Sequence, residues 1–175
     1  MADDVKEDAT AKEDAAVKDE LTEEEMRENV IRLAFGGDRR RFEEFCETVR
    51  RAVPPSTSVV LRGSAVTGER WRDGAPFDAD GPGTSDLDLT LVGEEVLGFY
   101  ILDGFYIPGI HTKPISEKDP DIAPELSPLR ERLVAMVNRP VNIQATRDLV
   151  MYLRGDLFGQ PYLTLFERRE EGDST

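Results

Sequence analysis

Cysteine and histidine are almost absent from this 175-residue sequence, which contains one of each, Cys46 and His111. A single cysteine cannot form a disulfide within the chain, and this pair cannot supply the ligand set of a zinc site. No apolar run approaches the roughly 20 residues that a membrane helix requires, and the acidic N-terminus is unlike a signal peptide. These absences exclude a disulfide scaffold, a zinc protein and a membrane span. They predict a soluble cytoplasmic domain that has no membrane partner.

Positive charge is also scarce, with 22 Lys and Arg residues against 36 Asp and Glu residues and a net charge of −14. This balance argues against a general nucleic-acid coat, although a local basic cleft remains compatible with it. Residues 1–28 carry twelve acidic and four basic side chains. Residues 1–20 have almost no large apolar side chain, so we predict a disordered acidic tail there. The alternative is a tail that attracts a basic partner.

The remaining sequence predicts one domain over residues 21–170, followed by a disordered C-terminus at 171–175. Apolar residues spaced by three and four predict a helix between Thr22 and Gly36, and Asp38 can cap a second helix. The same reasoning places a helix after Ser127 and a short one over 146–153. Short apolar runs predict four strands: Ser58–Arg62, Asp86–Val92, Val141–Ala145 and Tyr162–Phe166. The predicted fold class is α+β (mixed α/β), a small mixed β-sheet with flanking helices on one side.

The segment between the second and third predicted strands is less regular. Residues 99–107 are apolar and aromatic, which predicts a strand or a hairpin around Asp103-Gly104. Residues 111–124 contain three prolines and are predicted to be a loop. His111 is therefore expected at the surface, and Cys46 is expected to be a small core residue rather than a reactive thiol.

Asp86 and Asp88 stand two residues apart on a predicted strand, so both carboxylates are expected on the same face. Two converging carboxylates repel each other unless a cation lies between them, and oxygen ligands suit Mg²⁺ or Mn²⁺. An exposed edge strand with a solvated polar face is the alternative explanation. Upstream, Gly63-Ser64 ends a strand, where backbone N–H groups and a hydroxyl can bind phosphate.

Leu-Arg-Gly-Ser at 61–64, followed by Ser-Asp-Leu-Asp at 85–88, resembles the signature of the polymerase-β-like nucleotidyltransferases, over roughly residues 59–166. The resemblance implies a nucleotidyltransferase-like fold. It implies that Gly63 and Ser64 hold the triphosphate of a nucleoside triphosphate (NTP), and that Asp86 and Asp88 hold the divalent metal. Ser85, which opens the second motif, is included among the nucleotide-binding residues.

The chain departs from that family at the third carboxylate, whose position falls on Asn142. A carboxamide can offer one carbonyl oxygen to a metal, but it carries no charge and cannot accept a proton usefully. Asp103, Asp78 and Asp80 are the other candidates for a third acid. The last two lie in a long connection, residues 68–84, which is either a flexible insertion or a flap that grips substrate.

The expected function is transfer of a nucleoside monophosphate from an NTP to a hydroxyl of a small molecule, nucleic acid or protein. A catalytically impaired nucleotide-binding or partner-binding module on the same scaffold is the alternative. No separate acceptor-binding domain is apparent, so a protein partner or a small acceptor is expected.

Two other motifs are less compatible with the sequence. Gly63 and Gly68 have the spacing of a P-loop, but Glu69 occupies the position of its lysine and would repel phosphate. Asp86, Asp88 and Thr90 also match the motif of haloacid-dehalogenase-like phosphatases. However, the residues before Asp86 are not an apolar strand, and too little chain follows for that fold. Arg139, Arg147 and Arg154 are expected to be solvated surface charges.

Overall fold

The computed structural model of the chain describes residues 21–152 and 159–169. The predicted N-terminal tail, the predicted C-terminus at 171–175 and Arg154 lie outside the described residues. No helix within the described part of the chain is long and apolar enough to cross a membrane.

Two helices precede the sheet, α1 (Glu23–Ala34) and α2 (Arg39–Ala52). Thr22 caps α1: its hydroxyl accepts a hydrogen bond from the Glu25 amide, and the Glu25 carboxylate accepts one from the Thr22 amide. This reciprocal pair satisfies two backbone donors that the helix itself leaves unpaired. Asp38 caps α2 with its side chain alone, which accepts hydrogen bonds from two backbone amides of the first turn. Both predicted helix starts are confirmed.

Six strands form one mixed sheet: β1 (Ser58–Arg62), β2 (Leu87–Val92), β3 (Phe105–Ile107), β4 (His111–Thr112), β5 (Val141–Thr146) and β6 (Tyr162–Phe166). Their order across the sheet is β3-β4-β5-β2-β1-β6. β2 and β5 run parallel, whereas the other neighbours are antiparallel. The predicted mixed α/β class, with a small mixed sheet and flanking helices, is confirmed.

Three further helices follow strands: α3 (Ser64–Thr67), α4 (Ser127–Val137) and α5 (Leu149–Tyr152). Ser127 does not cap α4 as predicted. Its hydroxyl donates toward carbonyl oxygens of the preceding loop, so Leu126 occupies the cap position. Helix α5 begins later than predicted because β5 extends through Thr146.

The two faces of the sheet differ in polarity because side chains alternate along each strand. One face joins the helices in a single apolar core. Its strand residues are Val59, Leu61, Leu87, Leu89, Leu91, Val141, Ile143, Ala145, Leu163 and Leu165. The opposite face, which we call the polar face, carries Arg62, Asp88, Thr90, Asn142 and Gln144. Tyr152 of α5 bonds to Thr90 on that face, so the helices do not all lie on one side as predicted.

Residues 99–107, predicted to be a strand or a hairpin around Asp103-Gly104, include the strand β3, but the hairpin turn lies elsewhere. Residues Leu102–Gly104 form a 3-10 turn, in which Gly104 faces Ile122 so closely that a Cβ would lie 3.0 Å from the Ile122 Cβ. The chain reverses instead at residues 108–110, between β3 and β4, and β4 itself lies in the segment predicted to be a loop from residue 111. Gly109, with φ of 75°, supplies the left-handed conformation that this turn requires.

His111 is not a surface residue, which corrects the prediction. It is 7% exposed, and its ring centroid lies 5.3 Å from that of Tyr152 and 6.0 Å from that of Tyr106. The amide nitrogen of Gln144 lies 3.3 Å from His111 Nε2. Pairing of β4 with β5 brings the histidine to the sheet, which the proline content of the surrounding segment did not indicate.

Candidate functional site

Asp86, Asp88 and Asn142 meet on the polar face at the start of β2 and β5. The side-chain nitrogen Nδ2 of Asn142 donates to Asp86 Oδ2 at 2.8 Å and to Asp88 Oδ1 at 3.0 Å. One amide group therefore touches both carboxylates. The sequence placed these three residues together, and the structure brings them into direct contact.

The parallel pairing of β2 with β5 creates this contact. Asp88 and Asn142 are direct partners in the register of the two strands. Asp86 lies immediately before β2, so its side chain projects on the same side as that of Asp88, two residues later. Because both strands begin at the same edge of the sheet, residues 56 positions apart in the chain become neighbours.

The Gly63-Ser64 turn lies against the same carboxylates. Arg62, the last residue of β1, is the antiparallel partner of Asp88, so the turn follows directly beside it. Gly63 has φ of 101°, and a Cβ built on it would lie 3.3 Å from Asp88 Oδ2. Glycine is required here by both the backbone conformation and the close approach. Ser64 begins α3 and is 8% exposed.

Burial raises the pKa of Asp88, and the neighbouring Asp86 carboxylate raises it further. The positive charge of Arg62 and the hydrogen bond from Asn142 act in the opposite direction. The Asp88 carboxylate therefore holds its negative charge at a cost, which an additional positive group would relieve.

Sequence reasoning missed a row of polar residues beside this cluster. Arg62 Nη2 donates to Gln144 Oε1 at 3.2 Å, and its guanidinium carbon lies 6.0 Å from the Tyr152 ring centroid. The Nε of Arg62 is buried and has no hydrogen-bond partner among the residues that the structure describes. A signal was available, because Arg62 stands in an otherwise apolar strand directly before the glycine turn.

The connection at residues 68–84 is held by internal bonds rather than open. A bridge pairs Glu69 with Pro76, and the Phe77 amide donates to the Gly68 carbonyl at 3.0 Å. Trp71 is exposed on this connection at 55%.

The alternative acids have other partners. Asp80 binds Arg70 with an N–O distance of 2.8 Å, and Asp78 binds Arg139 at the same distance. Asp103 is exposed in the turn before β3, the edge strand, which β4 and β5 separate from β2. Asn142 is therefore the third polar group that the fold brings to Asp86 and Asp88.

Two polar side chains, those of Arg139 and Ser85, have surroundings that differ from the predicted ones. Arg139 is not a solvated surface charge, because its side chain is 8% exposed, whereas Arg147 is 56% exposed and lies 3.4 Å from Glu94. The Ser85 hydroxyl, which was predicted to bind nucleotide, is not hydrogen-bonded to Asp86 or Asp88. It accepts a hydrogen bond from the Asp78 amide at 2.8 Å.

The donor set suits a hard divalent cation. Two carboxylates and an amide oxygen, completed by water or phosphate oxygens, are ligands that Mg²⁺ accepts. Among residues 21–152 and 159–169, no group of three or more His, Cys, Asp or Glu side chains could hold a metal. The third member of this cluster is an amide, and rotation of its side chain by half a turn would exchange the Nδ2 donor for the Oδ1 acceptor.

Comparison with known proteins gives no match to a protein family, to a curated protein or to a solved structure.

Proposed function

We propose that this protein is a nucleotidyltransferase that moves a nucleoside monophosphate from an NTP to a hydroxyl acceptor with Mg²⁺ or Mn²⁺. One observation carries the proposal: the contact of the Asp86–Asp88 pair with both Asn142 and the Gly63-Ser64 turn. It supports a nucleotidyltransferase-like site because the carboxylates that would hold metal lie beside the turn that would hold phosphate.

Each residue has a defined role in this proposal. Asp86 and Asp88 would hold the divalent cation, and the carbonyl oxygen of Asn142 would be available as a further ligand if its amide group were rotated. The Ser64 hydroxyl and the backbone of the Gly63-Ser64 turn bind the β- and γ-phosphates. The bound cation would supply charge neutralisation for the triphosphate and for the departing pyrophosphate.

In the transfer step, the acceptor hydroxyl oxygen forms a bond to the α-phosphorus, and the bond from that phosphorus to the β-phosphate bridging oxygen breaks. Pyrophosphate leaves with the electron pair. The hydroxyl proton passes to water, because the neutral carboxamide of Asn142 cannot take it. A general base typically accelerates such a step by about 10²–10⁴-fold, so turnover without one is slow.

A second candidate is a nucleotide-binding module without turnover, and the two hydrogen bonds from Asn142 favour it. The amide group stabilises both carboxylates through these hydrogen bonds, which is the role that a metal ion has in an active site. Such a module would bind an NTP or a protein partner through the same face and release it unchanged.

Incubation with α-³²P-labelled NTPs and Mn²⁺, in the presence of candidate acceptors, tests both candidates. The transferase is expected to label an acceptor and release unlabelled pyrophosphate, and the double variant Asp86→Asn/Asp88→Asn abolishes the label. Asp103→Asn is the matched control, since it removes one exposed carboxylate at the far edge of the sheet. Metal-dependent NTP binding without label transfer supports the nucleotide-binding module. The absence of NTP binding refutes both the transferase and the nucleotide-binding module, and leaves only the binding of a protein partner.

A further inference from the structure

A buried arginine holds the segment that leads into Asp86. Arg139 Nη1 donates to the Ser85 carbonyl oxygen at 2.8 Å and to Asp78 Oδ1 at 2.8 Å. Its Nη2 donates to Asp78 Oδ2 at 3.1 Å, which makes the ion pair bidentate. The guanidinium also lies over the Phe77 ring, 4.5 Å from the centroid. Bidentate geometry fixes the relative orientation of the two groups as well as their distance.

The Asp78 carboxylate binds backbone amide groups of the same segment. Its Oδ1 accepts from the Ser85 amide at 2.9 Å, and its Oδ2 accepts from the Gly83 amide at 3.2 Å. The Asp78 amide in turn donates to the Ser85 hydroxyl at 2.8 Å. Asp78 has φ of 58°, a left-handed conformation that aspartate and asparagine tolerate better than most residues.

These bonds hold the backbone on both sides of Asp86. The Ser85 peptide groups are held by Asp78 at the N–H and by Arg139 at the C=O. One residue beyond Asp86, the Leu87 amide donates to the Pro140 carbonyl at 2.9 Å. Asp86 therefore lies between two anchors, and both anchors lead to the Arg139-Pro140 segment that starts β5.

We propose that Asp78 and Arg139 are positioning residues that fix Asp86 opposite Asn142 and set the metal affinity of the pair. The functional part of this inference rests on the proposed metal-dependent transfer, whereas the geometric part does not. The connection at residues 68–84 then has a defined purpose: it delivers Asp78 to the segment before Asp86.

The ion pair between Arg70 and Asp80 offers an internal comparison. Both aspartates lie in the same connection and both bind an arginine, but Arg70 and Asp80 are 34% and 74% exposed at their side chains, and both belong to the connection itself. A buried pair adds little net stability over well-packed apolar groups, so a buried ion pair placed beside Asp86 fits a positioning role. Asp78→Asn and Asp80→Asn are therefore matched variants.

The test compares the full-length protein with Asp78→Asn, Arg139→Lys and Asp80→Asn. The first readout is the pair of side-chain NH₂ resonances of Asn142 in ¹⁵N–¹H spectra without metal, which report its bonds to Asp86 and Asp88. The second is the affinity for Mn²⁺ alone, from electron paramagnetic resonance of the free ion. Arg139→Lys keeps the charge but loses the bidentate geometry, so it carries the test if Asp78→Asn does not fold.

We expect Asp78→Asn and Arg139→Lys to shift the Asn142 side-chain resonances and to weaken Mn²⁺ binding by about 10- to 100-fold, as loss of groups that orient metal ligands typically does. Asp80→Asn should leave both readouts as in the wild type. Unchanged Asn142 resonances in the folded variants, or an equal shift in Asp80→Asn, would overturn the positioning role. A wild-type protein that binds no Mn²⁺ would refute the metal-dependent function, while the resonances still decide the geometric inference.

Discussion

Replacing Asn142 by aspartate converts the amide that touches both carboxylates into a third carboxylate. The substitution removes two hydrogen bonds to charged acceptors, at 2.8 and 3.0 Å. Such bonds contribute about 1.5–3 kcal/mol each. The lower end of this range is used for each hydrogen bond. No separate cost is added for repulsion among the three acids, because a proton bound by the cluster limits that repulsion. Without metal, Asn142→Asp is thus expected to lower the free energy of unfolding by about 3 kcal/mol.

Thermal unfolding followed by circular dichroism measures this loss. For a chain of this length, about 3 kcal/mol corresponds to a fall in Tm of roughly 6–12 °C in the presence of EDTA. Mn²⁺ should then raise the Tm of Asn142→Asp more than that of the wild type. At a concentration of 100 times its Kd, binding of the ion raises the free energy of unfolding by about 2.7 kcal/mol, which offsets nearly the whole loss.

Asn138→Asp is the control for this experiment. It makes the same chemical change four positions earlier, at an exposed residue with φ of 51° that ends α4. The added charge near a helix C-terminus should cost less than about 1 kcal/mol and give no new response to Mn²⁺. An Asn142→Asp protein that melts within about 2 °C of the wild type in EDTA, and responds equally to Mn²⁺, would refute the reasoning.

The same variant tests catalysis, because the new carboxylate can accept the acceptor's proton. If the protein is a transferase, Asn142→Asp should raise the rate of label transfer by about 10²-fold or more at saturating Mn²⁺. Brisk turnover of the native protein that survives Asn142→Ala would show that another group acts as the base.

Three further predictions follow from individual residues. Gly63→Ala places a Cβ 3.3 Å from Asp88 Oδ2 at a φ of 101°, and should cost about 1–3 kcal/mol in chemical denaturation, with weaker Mn²⁺ binding. The hydrogen bond from Arg139 lowers the pKa of Asp78 from 3.8 to about 2, so its stabilisation is complete above pH 4 and is lost as the pH falls toward 2. The acid unfolding curve of Asp78→Asn should lack this contribution; a curve parallel to that of the wild type would contradict it. Burial raises the pKa of Cys46 to about 11, so thiol reagents at pH 8 should react slowly until the protein is unfolded, and rapid labelling of the native state would contradict this.

The elements with clear local patterns were predicted well. The capped helices α1 and α2 and the strands β1, β2, β5 and β6 are present, because each has an apolar spacing of its own and a turn signal at its ends. The acidic pair and Asn142 could be associated from the sequence because the family resemblance implies a third polar group on a later strand, at the position of Asn142. The functional assignment itself stays a prediction.

The features that sequence reasoning missed depend on contacts between distant segments. Arg139 and Asp78 are 61 positions apart, and nothing in either segment alone distinguishes a buried ion pair from two surface charges. His111 was assigned to the surface from the prolines that follow it, but pairing with β5 overrides that local composition. The apolar and aromatic residues on either side of Asp103-Gly104 predict a strand or a hairpin there, but Leu102–Gly104 form a 3-10 turn whose glycine packs against the distant Ile122.

The strand order also has a consequence for synthesis of the chain on the ribosome. β1 and β2 pair with each other, but the outer edge of β1 is covered by β6 and that of β2 by β5, and both partners come much later in the sequence. Until those residues emerge, the central ribbon presents two open, largely apolar edges that can join strands of other chains. We therefore expect substitutions that expose or shield the edges of the β1–β2 ribbon before β5 and β6 are made to change the yield of folded protein, even where they leave the equilibrium stability of the finished sheet unchanged.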